Sequence, residues 1–96
     1  MICTWNVRGA GKKGFVNYVS DLSKIFLFEV LVVLEPRISG VKACKVIDKM
    51  SFSNNFVVEA SGFSGGIWLL WNDSRVKLKV VASSRYSITM VFVEGS

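Results

Sequence analysis

The 96-residue sequence contains no histidine. That absence excludes a Ser-His-Asp triad, a Cys-His pair, a histidine-ligated metal and an imidazole base assembled from these residues alone. Cysteine is scarce: Cys3 and Cys44 give neither a disulfide framework nor the spacing of a metal knot. Two scattered thiols suit a reduced intracellular setting, and both are expected to serve as packing residues. There is one proline, Pro36. Long apolar runs are missing as well. A membrane span needs about 20 consecutive apolar residues, whereas the longest uncharged stretch, Ala60 to Asn72, has 13, three of them glycine and two serine. The opening residues lack the basic-then-apolar pattern of a targeting segment, so structure is expected from the start. Neither sign of charge dominates: 12 Lys+Arg against 7 Asp+Glu give a net charge of +5, spread over both halves. An anionic partner such as nucleic acid is permitted by this balance without being singled out.

Apolar residues are abundant. They make up 51% of the chain, aromatic residues 12%, and charged residues only 20%; the mean hydropathy is +0.44. This composition excludes disorder. The length allows one domain at most, and a domain of this size hides only about two-thirds of the surface its unfolded chain exposes. So apolar a sequence with so little interior needs an explanation.

Ile2 to Val7 reads as a short strand, followed by the loop Arg8 to Gly14. Phe15, Val19, Leu22, Ile25 and Phe26 then recur at helical spacing and predict a helix over about 15–27 with one inward face. Val30 to Leu34 is continuously apolar and β-branched, as in a strand buried on both faces, and Pro36 ends it. Val41, Cys44, Ile47 and Phe52, interleaved with charges, suit a more exposed helix over about 40–50. Four strand-like runs follow: 56–60, 66–71, 76–81 and 86–93, divided by Gly- and Ser-rich turns. Val76, Leu78 and Val80 alternate with Lys77 and Lys79 and mark one wet face, while Ile67 to Trp71 has none. Trp5, Trp68 and Trp71 lie in apolar runs and are expected in the core, not as base-stacking platforms. The predicted class is mixed α/β (α+β), in the order β-α-β-α-β-β-β-β, the last four strands forming a meander or hairpins.

Two readings of the first 36 residues compete. Gly9-Ala10-Gly11-Lys12-Lys13-Gly14 matches G-x-G-x-x-G between a strand and a helix, and Glu35 falls 21 residues after Gly14. A dinucleotide-binding unit places an acid at about that distance for the ribose hydroxyl. Against it, polar Asn6 and Arg8 end the first strand, Pro36 follows the acid, and residues 54–93 read as consecutive strands where βαβ units should continue. A phosphate-binding P-loop fails, because Phe15 follows Gly14.

The second reading starts from Trp5-Asn6-Val7-Arg8-Gly9, Val32-Val33-Leu34-Glu35-Pro36 and Gly62-Phe63-Ser64-Gly65-Gly66-Ile67-Trp68-Leu69-Leu70-Trp71. In this order the three segments resemble the endonuclease/exonuclease/phosphatase (DNase I-like) superfamily. They are most similar to the N-terminal part of the endonuclease domain of plant LINE-type non-LTR retrotransposons, where that domain precedes a reverse transcriptase. The resemblance spans essentially the whole chain but only the early part of the family domain. It implies the beginning of a two-sheet α/β sandwich, incomplete over residues 1–96, with DNA as substrate, Mg²⁺ as cofactor and a nuclear setting. By resemblance Glu35 corresponds to the metal-binding glutamate and Asn6 to the active-site asparagine.

The chemistry of those residue types agrees with that assignment. Cleaving a phosphodiester requires stabilising charge on phosphate oxygens, which a hard divalent cation does well. Mg²⁺ is commonly held by one or two carboxylates plus water and phosphate. If the first two strands lie side by side and parallel, Asn6 and Glu35 emerge at the same sheet end, where sites in such folds gather. Arg8, Lys12 and Lys13 are candidate phosphate contacts. The family's base histidine, its orienting aspartate and its Asp-x-Asn pair have no counterpart among these residues, so the chain is expected to be inactive alone. Two alternatives stay open: a small Rossmann-like dinucleotide-binding module using Gly9, Gly11, Gly14 and Glu35, and an interaction module that self-associates through a sheet face left open by a missing half.

Overall fold

Two uninterrupted apolar runs form the centre of the molecule. The computed structural model describes residues 2–7, 9–11, 14–25, 29–62 and 64–93. It contains strands β1 (Ile2–Asn6), β2 (Val30–Leu34), β3 (Asn54–Val58) and β4 (Ile67–Trp71), helices α1 (Phe15–Ile25) and α2 (Gly40–Asp48), and a final pair of strands, β5 (Leu78–Ser84) and β6 (Ser87–Phe92). The first four strands make one sheet in the order β1-β2-β4-β3. β1 runs parallel to β2, and β4 runs antiparallel to both β2 and β3. β5 and β6 form a separate antiparallel sheet. The described residues make a small mixed α+β domain with two sheets and two helices, and its last four strands are two hairpins in different sheets.

The apolar runs without a polar alternation, β2 and β4, occupy the two central positions, as burial on both faces requires. One face presents Leu31, Val33, Trp68 and Leu70, which pack with Phe15 and Val19 of α1 and Ala43 and Ile47 of α2. The opposite face presents Val30, Leu69 and Trp71, covered by Leu78, Val80, Ile88 and Met90 of the second sheet. Helices therefore cover one side and a β-hairpin the other. Trp5 stacks on Phe15 at 5.5 Å between ring centroids, and Phe15 meets Trp68 edge-on at 6.4 Å, pinning α1 to the sheet. Trp68 and Trp71 are buried on opposite faces of the sheet and Trp5 is half-buried on the Trp68 side, as their apolar context predicts.

Several details differ from the sequence expectations. α2 turns Ala43 and Ile47 inward, with Val46 alongside, and leaves Val41 and Cys44 in solvent. Positions 43, 47 and 50 share a face at i, i+4, i+7, and small Ala43 lets the helix approach the sheet; Val41 and Cys44 point elsewhere. Cys44 is thus not a packing residue, whereas Cys3 packs at the edge of the core. β3 begins two residues earlier than expected, because its pairing runs from Asn54 opposite Trp71 to Val58 opposite Ile67. As an edge strand it tolerates polar Asn54 and Asn55, which carry no apolar signal. The α1 face is confirmed at Phe15 and Val19; the side chains of Leu22 and Ile25, and Phe26 itself, lie outside the described residues. Among the described residues no helix is long and apolar enough to cross a membrane.

Candidate functional site

The parallel register of β1 and β2 pairs Asn6 with Leu34. Asn6 and the residue after β2, Glu35, therefore leave the sheet at the same end. Both line a pocket of about 280 Å³ together with Ser64, Gly65, Gly66, Arg85 and Tyr86. The two site residues expected from the strand-end motifs are thus brought together.

The backbone around Glu35 is clamped from two sides. The Gly9 amide donates to the Glu35 carbonyl (2.8 Å) and the Ala10 amide to the Pro36 carbonyl (2.6 Å). From the other side, the Glu35 amide donates to the Gly66 carbonyl (3.1 Å) and the Arg37 amide to the Gly65 carbonyl (2.8 Å). Pro36 is fully buried in this clamp. Glu35 and Arg37 both adopt the left-handed conformation, with φ of 54° and 60°, which disfavours residues carrying a Cβ. The glycines that follow serve close approach: a Cβ on Gly65 would lie 2.9 Å from Cα and Cβ of Glu35, and one on Gly66 would lie 2.9 Å from the Val58 carbonyl oxygen. The Gly-rich segment is therefore what lets Glu35 sit where it does.

The Arg37 guanidinium donates to Oε1 of Glu35 at 3.4 Å, with both side chains substantially exposed. Arg85 reaches the pocket from the β5–β6 turn. Among the described residues no group of three or more His, Cys, Asp or Glu side chains is placed to hold a metal ion. Among the described residues lining the pocket, the side-chain oxygen donors are the Glu35 carboxylate, the Asn6 amide and the Tyr86 hydroxyl, with the Ser64 hydroxyl turned to the Arg85 carbonyl (3.0 Å). That set fits a Mg²⁺ ion whose remaining positions are filled by water and phosphate oxygens, and it does not make a self-sufficient protein cage.

Arg8, Lys12 and Lys13 lie outside the described residues. Gly11 and Gly14 line a different pocket, of about 360 Å³, with Phe15, Asn17 and Lys49 at the start of α1. Glu35 does not line it, although the Gly9 amide bonds to the Glu35 carbonyl. The strand that pairs with β2 on its far side is antiparallel β4, where a mononucleotide half would continue with a parallel strand.

Sequence reasoning missed Arg37, Arg85 and Tyr86 at the site. The Ser83-Ser84-Arg85 segment carried only a turn signal, and nothing in its spacing announces that the turn folds back onto Ser64. No protein-family model, curated protein or solved structure matches the chain.

Proposed function

We propose that these 96 residues form the phosphate-engaging part of a Mg²⁺-dependent phosphodiesterase of the endonuclease/exonuclease/phosphatase type, acting on DNA as the retrotransposon-like motifs imply. The observation that carries this reading is the convergence of Asn6 and Glu35, from the ends of two adjacent parallel strands, on one pocket walled by Gly65 and Gly66. In this reading the Glu35 carboxylate holds the cation and the Asn6 amide donates to a phosphate oxygen without adding charge. A bound Mg²⁺ offsets the charge that grows on phosphodiester oxygens during cleavage. Arg37 neutralises Glu35 when the cation is away and shares the phosphate's charge when it is present. The sequence has no histidine, so no imidazole activates the attacking water and these residues bind without turning over.

Two measurements test the reading. A short DNA strand should bind more tightly in Mg²⁺ than in EDTA, and Glu35→Gln should abolish the difference. Binding that ignores both the metal and Glu35→Gln would overturn the metal role. Supercoiled plasmid should stay intact in Mg²⁺; nicking that disappears in Glu35→Ala would overturn the claim of inactivity.

A second reading, a dinucleotide-binding module, is favoured by the pocket beside Gly11 and Gly14 at the start of α1. It predicts saturable binding of a nicotinamide or flavin cofactor that Gly11→Ala removes. A Cβ there would lie 3.2 Å from Ile38 Cγ2, a contact that a small shift relieves, so this variant should fold.

A further inference from the structure

The turn between β5 and β6 consists of two residues, Arg85 and Tyr86, between the paired Ser84 and Ser87. Two-residue hairpin turns favour Asn-Gly or Gly-X because one or both positions take positive φ. Neither Arg85 nor Tyr86 does so, so their identities answer to something other than turn chemistry. The turn is held in place: the Ser64 hydroxyl, itself buried, donates to the Arg85 carbonyl at 3.0 Å, and the Tyr86 amide donates to Ser84 Oγ at 3.2 Å. The first bond docks the turn on the Gly-rich segment that shapes the Glu35 pocket, and the second braces the turn itself.

Both residues line that pocket. Tyr86 is 73% exposed, and among the described residues no other ring packs on it. It also walls a neighbouring apolar slot of about 220 Å³ between the two sheets, whose other walls include Leu34, Ile67 and Met90. No described carboxylate is ion-paired with Arg85, in contrast to Arg37. A cation and an open aromatic face thus stand side by side at the rim of the Glu35 pocket. A nucleotide has the complementary pair, an anionic phosphate next to a flat base.

We propose that this turn contacts nucleic acid: Arg85 pairs with a phosphate adjoining the one at Asn6 and Glu35, and Tyr86 stacks on a base. A tyrosine can stack only on a base whose face is free, so the preferred ligand is single-stranded or locally opened DNA, not intact duplex. This rests on the phosphodiester reading of the pocket.

Fluorescence anisotropy with a labelled oligothymidylate, an abasic strand of equal length and a duplex tests it, all in Mg²⁺. The oligothymidylate should bind about fivefold or more tighter than the abasic strand, and tighter than the duplex. Tyr86→Ala should erase the preference and Tyr86→Trp keep it. Arg85→Ala should weaken both single strands alike and flatten the logarithmic salt dependence by about 0.7. Tyr86 is exposed, so its variants should fold, which circular dichroism checks. Equal binding of both strands, unchanged in Tyr86→Ala, overturns this inference and leaves the pocket reading standing. Absence of binding by either strand overturns both.

Discussion

Glu35 sits in a backbone conformation that a residue with a Cβ adopts at a cost of roughly 1–2 kcal/mol, and φ of 54° is held by amide bonds from Gly9 and to Gly66. Strain of this kind persists where the surroundings over-determine it, often at functional positions. Two substitutions separate side chain from backbone. Glu35→Ala keeps the strain and Glu35→Gly removes it, so the glycine variant should be the more stable by about 1 kcal/mol in denaturant titrations, although both lose the carboxylate. Gly65→Ala should cost about 1–3 kcal/mol, because its Cβ would meet Cα and Cβ of Glu35 at 2.9 Å between two segments already tied by the Arg37–Gly65 and Glu35–Gly66 backbone bonds. Asn6 and Glu35 were legible because a strand-end motif encodes both residue type and position. Gly65 was legible only as a turn former; its steric reason lies 30 residues away in the sequence and appears only when the segments meet.

Among the elements, β2 and β4 were the most legible, since five consecutive large apolar residues admit few alternatives to a central strand. α2 was readable as a helix but its inward face was not, because Val41 and Cys44 mimic a stripe that Ala43 and Ile47 supply. Its start is also secured from afar: Ser39 makes no side-chain cap, and the Gly40 amide donates instead to Oε2 of Glu59 at 3.2 Å. A carboxylate there satisfies an unpaired amide and opposes the positive helix end. Glu59→Ala should lower stability by about 0.5–1 kcal/mol, seen as a thermal midpoint shifted down without a change of fold. The turn after β4 is anchored likewise, with Asn72 Oδ1 accepting from the Ser53 amide and Ser53 Oγ from the Asp73 amide, each at 2.9 Å. Lys77 donates to Asp73 at 2.7 Å and holds its carboxyl below the usual range. The depressed folded value means this contribution is present above the ordinary carboxylate pKa and fades as pH falls through the lowered one. The midpoint difference between the native protein and Asp73→Asn should therefore be largest near neutral pH and close on acidification.

For the molecule as a whole, the fold accounts for much of the apolar composition that the length made surprising. Two strands are buried on both faces, and each face has its own cover, helices on one side and the β5–β6 hairpin on the other. The expectation of a sheet face left open by a missing half is corrected to that extent. An apolar margin remains, with Val81, Val91, Phe92 and Val93 in solvent at the second sheet. Trp68, fully buried where α1, β2 and β4 meet, should be the costliest truncation. Trp68→Ala should remove about 3–5 kcal/mol, a large share of the 5–15 kcal/mol that stabilises a typical domain. Trp68→Phe should be far milder, because Nε1 has no hydrogen-bond partner among the described residues and its loss sheds an unpaired buried donor.

The strand order also sets a timetable. β4 enters the sheet between β2 and β3, so every contact across the middle awaits residues 67–71. Before they are made, β1–β2 is the one described strand pair that can form, with α1 and α2 able to cover one face while Val30 on the other stays bare, and so small a unit is at best marginal in water. The nascent chain therefore gains its protected interior late and all at once, when Ile67 to Trp71 slides into a gap that β2 and β3 cannot close by themselves. Arrested chains ending before Ile67 should be cut freely by protease, and those extending past Phe92 should resist it.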